Sequence, residues 1–179
     1  LVLFFKKEHY LLFCLFLVAA APNTMPLRDV DVTYKVPVAG GQDMAILQRL
    51  RFSATLHRQR VDLPTSGNWM VLDYVTHRMT LVRDESHELV DLPAPDTASA
   101  ASDFAKVGPA EVAGLACTEW RTRDIRGDET VACYTDDGVL LRARGARGVL
   151  MEAIDVGYRA QGADVFTLPQ GYSRQVPAP

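Results

Sequence analysis

The stretch from Cys117 to Arg142 constrains the fold more than any other part of this chain. Cys117-Thr-Glu-Trp120 and Val131-Ala-Cys133-Tyr134 flank a loop at Ile125-Arg126-Gly127, and Asp136-Asp137-Gly138 then leads into Val139-Leu-Leu-Arg142. Cys117 set opposite Cys133 in an antiparallel pair also sets Arg121 opposite Glu129. Directly opposed residues bring their Cβ atoms to about 4.5 Å, close to what a disulfide requires. The Asp-Asp-Gly turn fits a three-residue hairpin with Gly138 in the left-handed conformation, which sets Cys133 opposite Leu141 and Thr135 opposite Val139. One face of the three strands then carries Leu115, Cys117, Val131, Cys133, Val139, Leu141 and Ala143. The other carries Thr118, Trp120, Ala132, Tyr134, Arg142 and Arg144. The bridge points into the core and, by closing its loop, stabilises by about 3 kcal/mol in the chain-entropy model. A redox pair would more often be Cys-x-x-Cys at a helix start, so the bridge reads as structural.

A disulfide belongs in an oxidising compartment, and the N-terminus agrees. Lys6 and Lys7 precede the apolar run 11–18, which Ala19-Ala20-Ala21-Pro22 follows. These are the three parts of a secretory signal peptide, with cleavage after Ala21. The run is shorter than the about 20 residues that span a bilayer. Cys14 follows bulky Phe13, whereas a lipid-attachment site wants small residues. Residues 1–21 therefore read as a signal peptide and residues 22–179 as a single domain in the periplasm or outside the cell. Cleavage removes Lys6, Lys7 and Glu8, so the net charge of −3 becomes one unit more negative. An acidic body without a basic run argues against nucleic acid or an anionic membrane surface as partner, and no transmembrane segment is expected after cleavage.

Along the body the dominant period is two. Val30, Val32, Tyr34, Val36 and Val38 alternate with Asp31, Thr33, Lys35 and Pro37, and Pro37 marks an edge position or a strand's end. Leu50, Phe52, Ala54 and Leu56 form one face of a second strand that extends with a bend to Leu63. Further strands read over 69–74, 78–82 and 87–92. The stretch near 98–105 reads as a helix capped by Asp96 or Thr97 or equally as a surface connection, and strands resume from Ala110 to end at 164–168. About ten short strands with turn residues between them make a mainly β meander with at most one or two short helices. Continuing the sheet across Gly145…Gly148 places Leu150, Glu152, Ile154, Val156 and Tyr158 on the core face. Glu152 would then be a carboxylate among apolar neighbours, with a raised pKa. The plainer alternatives are a sheet-end position, an arginine partner or a one-residue slip of register.

No catalytic constellation stands out, and the chain reads as a non-enzyme. His57, His77 and His87 lack metal-ligand spacing, and position 91 is Asp where a zinc-protease motif would need His. A Gly-x-Ser-x-Gly elbow and phosphate-cradling glycine loops are absent. No metal or cofactor is implied.

Several phrases together resemble a known group: Gln48-Arg-Leu-Arg-Phe52, Leu72-Asp73 with Arg78-Met-Thr80, Val112-Ala-Gly-Leu-Ala-Cys117, Cys133-Tyr-Thr-Asp-Asp-Gly-Val-Leu-Leu-Arg142 and Val165-Phe-Thr-Leu-Pro-Gln-Gly-Tyr172. Their order is similar to that of exported bacterial proteins of unknown function and, more remotely, to the LolA/LolB-like lipoprotein carriers and their RseB-like relatives. The resemblance implies an unclosed β-barrel, a strongly curved antiparallel sheet whose concave side holds a lipid, an acyl chain or a lipidated partner. Val32, Tyr34, Leu50, Phe52, Leu141, Glu152 and Val156 are the expected lining, and a filled core without a cavity is the equal alternative for that face. The carriers cover the cavity mouth with helices, whereas this chain offers one weak helical stretch. A second expectation is an envelope structural or sensing protein that binds another protein through the sheet.

Overall fold

The computed structural model describes residues 21–38, 44–64, 67–94, 104–123 and 127–175. The expected signal peptide up to Ala20 lies outside the described residues, as does all of the expected helix near 98–105 but its end. Phe104 and Ala105 are described, and Ala105 already begins a strand.

Among the described residues the strands are β1 Val30–Pro37, β2 Ala45–Ser53, β3 Arg58–Asp62, β4 Trp69–Asp73, β5 Arg78–Arg83, β6 Glu88–Pro93, β7 Ala105–Val112, β8 Leu115–Arg123, β9 Glu129–Tyr134, β10 Leu140–Gly145, β11 Gly148–Gly157 and β12 Ser173–Gln175. They form one 12-stranded sheet in the order β12-β6-β5-β4-β3-β2-β1-β11-β10-β9-β8-β7. Twelve strands replace the expected ten in part because residues 50–63 are not one bent strand. A tight turn splits them into β2 and β3, with Ser53 opposite Arg58. Residues 164–168 are not a strand: Ala163–Phe166 forms a 3-10 turn. Pro37 ends β1, which is a central strand.

β1 joins two meanders, β1–β6 and β7–β11, by pairing antiparallel with both β2 and β11. Strict alternation in β1 and β2 makes the faces legible. On one face the register aligns Val32, Leu50, Val61, Met70, Leu81 and Val90 straight across six strands, with Val30, Phe52, Gln59, Leu72, Met79 and Leu92 beside them. The opposite face carries Asp31, Arg51, Arg60, Val71, Thr80 and Asp91, and next to them Arg49, Asp62, Trp69, Val82 and Leu89.

Each face has its own core. Val30, Val32, Tyr34 and Phe52 pack with Cys117, Cys133, Val139, Leu141 and Ala153 in the larger cluster. On the outer face Trp69, Val71, Val82 and Leu89 are covered by Phe166. After β11 the chain crosses that face and adds β12 parallel to β6. The C-terminal segment is therefore a strap over the outside of the sheet.

The disulfide joins Cys117 to Cys133 as expected, with Cα atoms 5.6 Å apart, and both sulfurs are buried in the larger core. Its register differs. Glu119, not Cys117, lies opposite Cys133, and Arg121 lies opposite Val131. The bridge is thus diagonal. A slip of two residues keeps every side chain on its face, so the bridge is still buried in a core as expected. At the next hairpin Leu140 pairs with Tyr134, and the Val139 amide donates to Thr135 Oγ1, as the Asp-Asp-Gly turn requires. A bulge at Leu141 then sets Arg142 opposite Cys133 and Ala143 opposite Ala132, reversing the expected faces from there on.

Candidate functional site

The inner face of the curve holds the candidate site. A cavity of about 260 Å³ is lined by Val32 and Tyr34 of β1, Leu50 of β2, Gln59 of β3, Tyr134 of β9 and Met151 of β11. Strands β3 and β9 share this hollow although β2, β1, β11 and β10 lie between them in the sheet. Only strong curvature brings them together, so the Val32–Leu50–Val61 face is the concave one. Thr24 and Pro26, from the segment before β1, close one side.

Its chemistry is apolar with few fixed polar groups. The Tyr34 hydroxyl donates to the Leu140 carbonyl at 2.6 Å, which ties β1 to β10 across β11. The Tyr74 hydroxyl donates to Gln59 Oε1 at 3.0 Å. Burial pushes the Tyr34, Tyr74 and Tyr134 hydroxyls upward from their ordinary value, so they stay neutral at physiological pH. Beyond the cavity the apolar row continues through Val61, Met70, Leu81 and Val90, all half-buried. The concave face is therefore neither a sealed core nor a wetted surface. Among the described residues no group of three or more His, Cys, Asp or Glu could hold a metal ion.

Of the expected lining, Val32, Tyr34 and Leu50 border the cavity. Phe52 and Leu141 are fully buried beneath it, and Val156 packs against the same cluster. Glu152 does not belong there. A bulge between Thr33 and Tyr34 makes Ile154 the extra residue of β11, so Ala153 sits opposite Tyr34 and Glu152 opposite Lys35 and Arg142. Glu152 faces outward, its side chain 40% exposed and 3.4 Å from Arg142. Leu150 and Ile154 are likewise exposed. Gln59, Tyr134 and Met151 were missed. Tyr134 shares its alternation with Trp120, and two aromatics on the face opposite the disulfide were the signal for a second apolar side.

The three histidines have a structural role that their spacing concealed. His57, His77 and His87 end the turns β2–β3, β4–β5 and β5–β6, with φ of 50°, 51° and 54°. Histidine is among the side chains that tolerate this left-handed region.

No protein-family model matches the chain, and no curated protein matches it. Solved structures do. The fold is an unclosed, strongly curved antiparallel sheet of the kind found in MucB. An uncharacterized conserved protein from Thermus thermophilus is similar at a TM-score of 0.63 and 14% identity, over 84% of this chain and 91% of that one. MucB is similar at a TM-score of 0.53 and 13% identity, over 84% of this chain and 61% of MucB. Pseudomonas aeruginosa MucB in its complex with MucA gives 0.51 at 14% identity, over 79% and 56%. This chain thus spans somewhat over half of MucB. At such identities the likeness is one of fold.

Proposed function

We propose that this protein is an exported, non-enzymatic binding protein whose concave sheet face holds an apolar ligand, a lipid or the acyl chain of a lipidated protein. One observation carries the reading. The row from Val32 to Val90 is apolar across six strands, yet its members from Leu50 onward are only half-buried. A contiguous apolar surface of that extent on a monomer marks a binding site. The basic and apolar N-terminal segment and the single disulfide support export to an oxidising compartment.

Native mass spectrometry of the gently purified protein tests it. The expected spectrum carries co-purified lipid, and Leu50→Asp or Met70→Lys removes it while near-UV circular dichroism is unchanged. A lipid-free spectrum, with no uptake of a diacyl phospholipid on titration, overturns the reading.

A protein ligand is the second reading, favoured by MucB, whose structures include complexes with MucA. Docking would use the concave face rather than an edge. Edge strand β7 carries Gly108, Pro109 and a bulge, and edge strand β12 has 3 residues. Both edges are poor templates for an added strand.

A further inference from the structure

A second hollow lies on the outer face, under the C-terminal strap. It encloses about 410 Å³, with Val71 and Thr80 as floor, Phe166 and Leu168 as one wall, and the guanidinium groups of Arg58, Arg78 and Arg174 at the rim. Register explains the convergence. Arg58, Asp73 and Arg78 stand directly opposite one another on β3, β4 and β5, and β12 brings Arg174 alongside β6.

Donors and acceptors do not balance here. Asp73 accepts from Arg58 Nε at 2.9 Å through Oδ2, and through Oδ1 from the amides of Val75 and Thr76 at 3.0 and 2.9 Å. Asp91 has Arg78 Nη2 at 2.8 Å and Arg174 Nη1 at 3.3 Å on Oδ2, and accepts from Thr80 Oγ1 at 2.9 Å on Oδ1. Each carboxylate meets three donors of the protein. Each guanidinium has five N–H donors, and each commits one nitrogen to these two acids. Three arginines against two aspartates leave one excess positive charge and a surplus of donors beside an apolar wall. The complement is a group that is anionic, rich in acceptors and attached to an apolar body. Planar guanidinium groups suit carboxylate and phosphate oxygens in particular.

We propose that this hollow is a binding site for a small anionic amphiphile, its carboxylate or phosphate head on Arg58, Arg78 and Arg174 and its apolar tail on Val71, Phe166 and Leu168. The site lies on the opposite side of the sheet from the concave face and stands independently of the function proposed above.

Titration of the oxidised mature chain, followed by amide NMR, tests it with octanoate, octyl phosphate, 1-octanol and inorganic phosphate. The two octyl anions are expected to shift the amides of Thr76, Thr80 and Leu168 saturably, and octanol to leave them unmoved. Tighter binding of octyl phosphate identifies a phosphate head, and tighter binding of octanoate a carboxylate. Arg78→Gln and Arg174→Gln, whose side chains are about half exposed, are each expected to weaken binding about tenfold, the loss of one charge-assisted hydrogen bond. Leu50→Asp on the concave face is expected to leave this affinity unchanged. Octanol binding as well as the anions, shifts confined to the concave face, or arginine variants with full affinity would each overturn the site. Inorganic phosphate binding as tightly as octyl phosphate would overturn the role of the apolar wall.

Discussion

At Ala113 the chain holds a side chain at φ 51°, followed by Gly114 at φ 74°. Two residues with positive φ between Val112 and Leu115 make the turn whose twist matches a hairpin. Alanine is a poor occupant of its first position, because left-handed backbone crowds Cβ against a carbonyl at a cost of about 1–2 kcal/mol. Ala113→Asn is therefore expected to raise stability by up to about 1 kcal/mol in urea denaturation, with no change in slope. Gly138 is the opposite case. Its φ is 88°, and a Cβ there would collide with the carbonyl of Met25. The turn is also the seat of the N-terminal segment: the Leu27 amide donates to the Asp137 carbonyl, and Arg28 Nε donates to Asp137 Oδ2 at 2.6 Å. Gly138→Ala should lower stability by about 2 kcal/mol or more, since backbone strain and collision act together. It should also free residues 23–28, read as faster amide exchange at Leu27. A stable variant with Leu27 still protected would show that the turn does not seat the segment.

Among the described elements, the β8–β9 hairpin bears the one covalent cross-link. Cys117→Ser with Cys133→Ser should lower stability by about 2–4 kcal/mol, the usual effect of losing such a bridge, and reductant should then have no further effect on the variant. The cross-linked pair was legible because strand alternation, a loop and an Asp-Asp-Gly turn each left a sequence signal. The orientation of β11 was not. Bulges at Leu141, Leu150 and Ile154 insert one residue each, and a bulge carries no composition of its own while reversing every later side chain. That is why Val32, Tyr34 and Leu50 stand where alternation puts them, on strands whose facing ladder between β1 and β2 is unbroken, whereas Glu152 and Ile154 are turned outward. Tyr134 and Gln59 escaped notice for a further reason. They meet only through curvature, and period-two alternation describes a flat strand. The left-handed histidines were hidden similarly, since a hairpin turn ending in His resembles a scattered ligand until its φ is known.

Over the whole molecule, the two faces answer different demands. The concave side is apolar and half open, while the opposite face of β1–β6 is laced by carboxylates each shared between two arginines: Asp31 with Arg49 and Arg159, Asp62 with Arg51 and Arg60, and Asp91 with Arg78 and Arg174. The Asp31 set is the innermost. Its carboxylate side chain is 4% exposed and joins β2 and the start of the strap to β1, with Arg49 at 2.6 Å and Arg159 at 2.9 Å. The hydrogen bonds from Arg49 hold the Asp31 carboxyl below its ordinary value, against the upward push of burial, and Arg159 adds to the effect. A carboxyl whose folded pKa is depressed contributes stability above its unfolded value of 3.8 and loses it as pH falls through the folded value. The melting temperature should accordingly drop on acidification below about pH 4. Asp31→Asn should melt lower than the parent at pH 7, because the pairing is gone while both arginines remain solvated. The gap between the two proteins should shrink as pH falls below about 4 and close once Asp31 is protonated in the parent. A gap that persists unchanged down to about pH 2 would mean that the loss in Asp31→Asn comes from the amide donor it sets against Arg49 and Arg159 rather than from the missing carboxylate charge. The strap reports the same event locally. Arg159 precedes Gln161, whose amide donates to Asp29 Oδ2 at 2.7 Å, so loss of the Asp31 charge should raise amide exchange at Gln161 before the β1–β2 ladder opens.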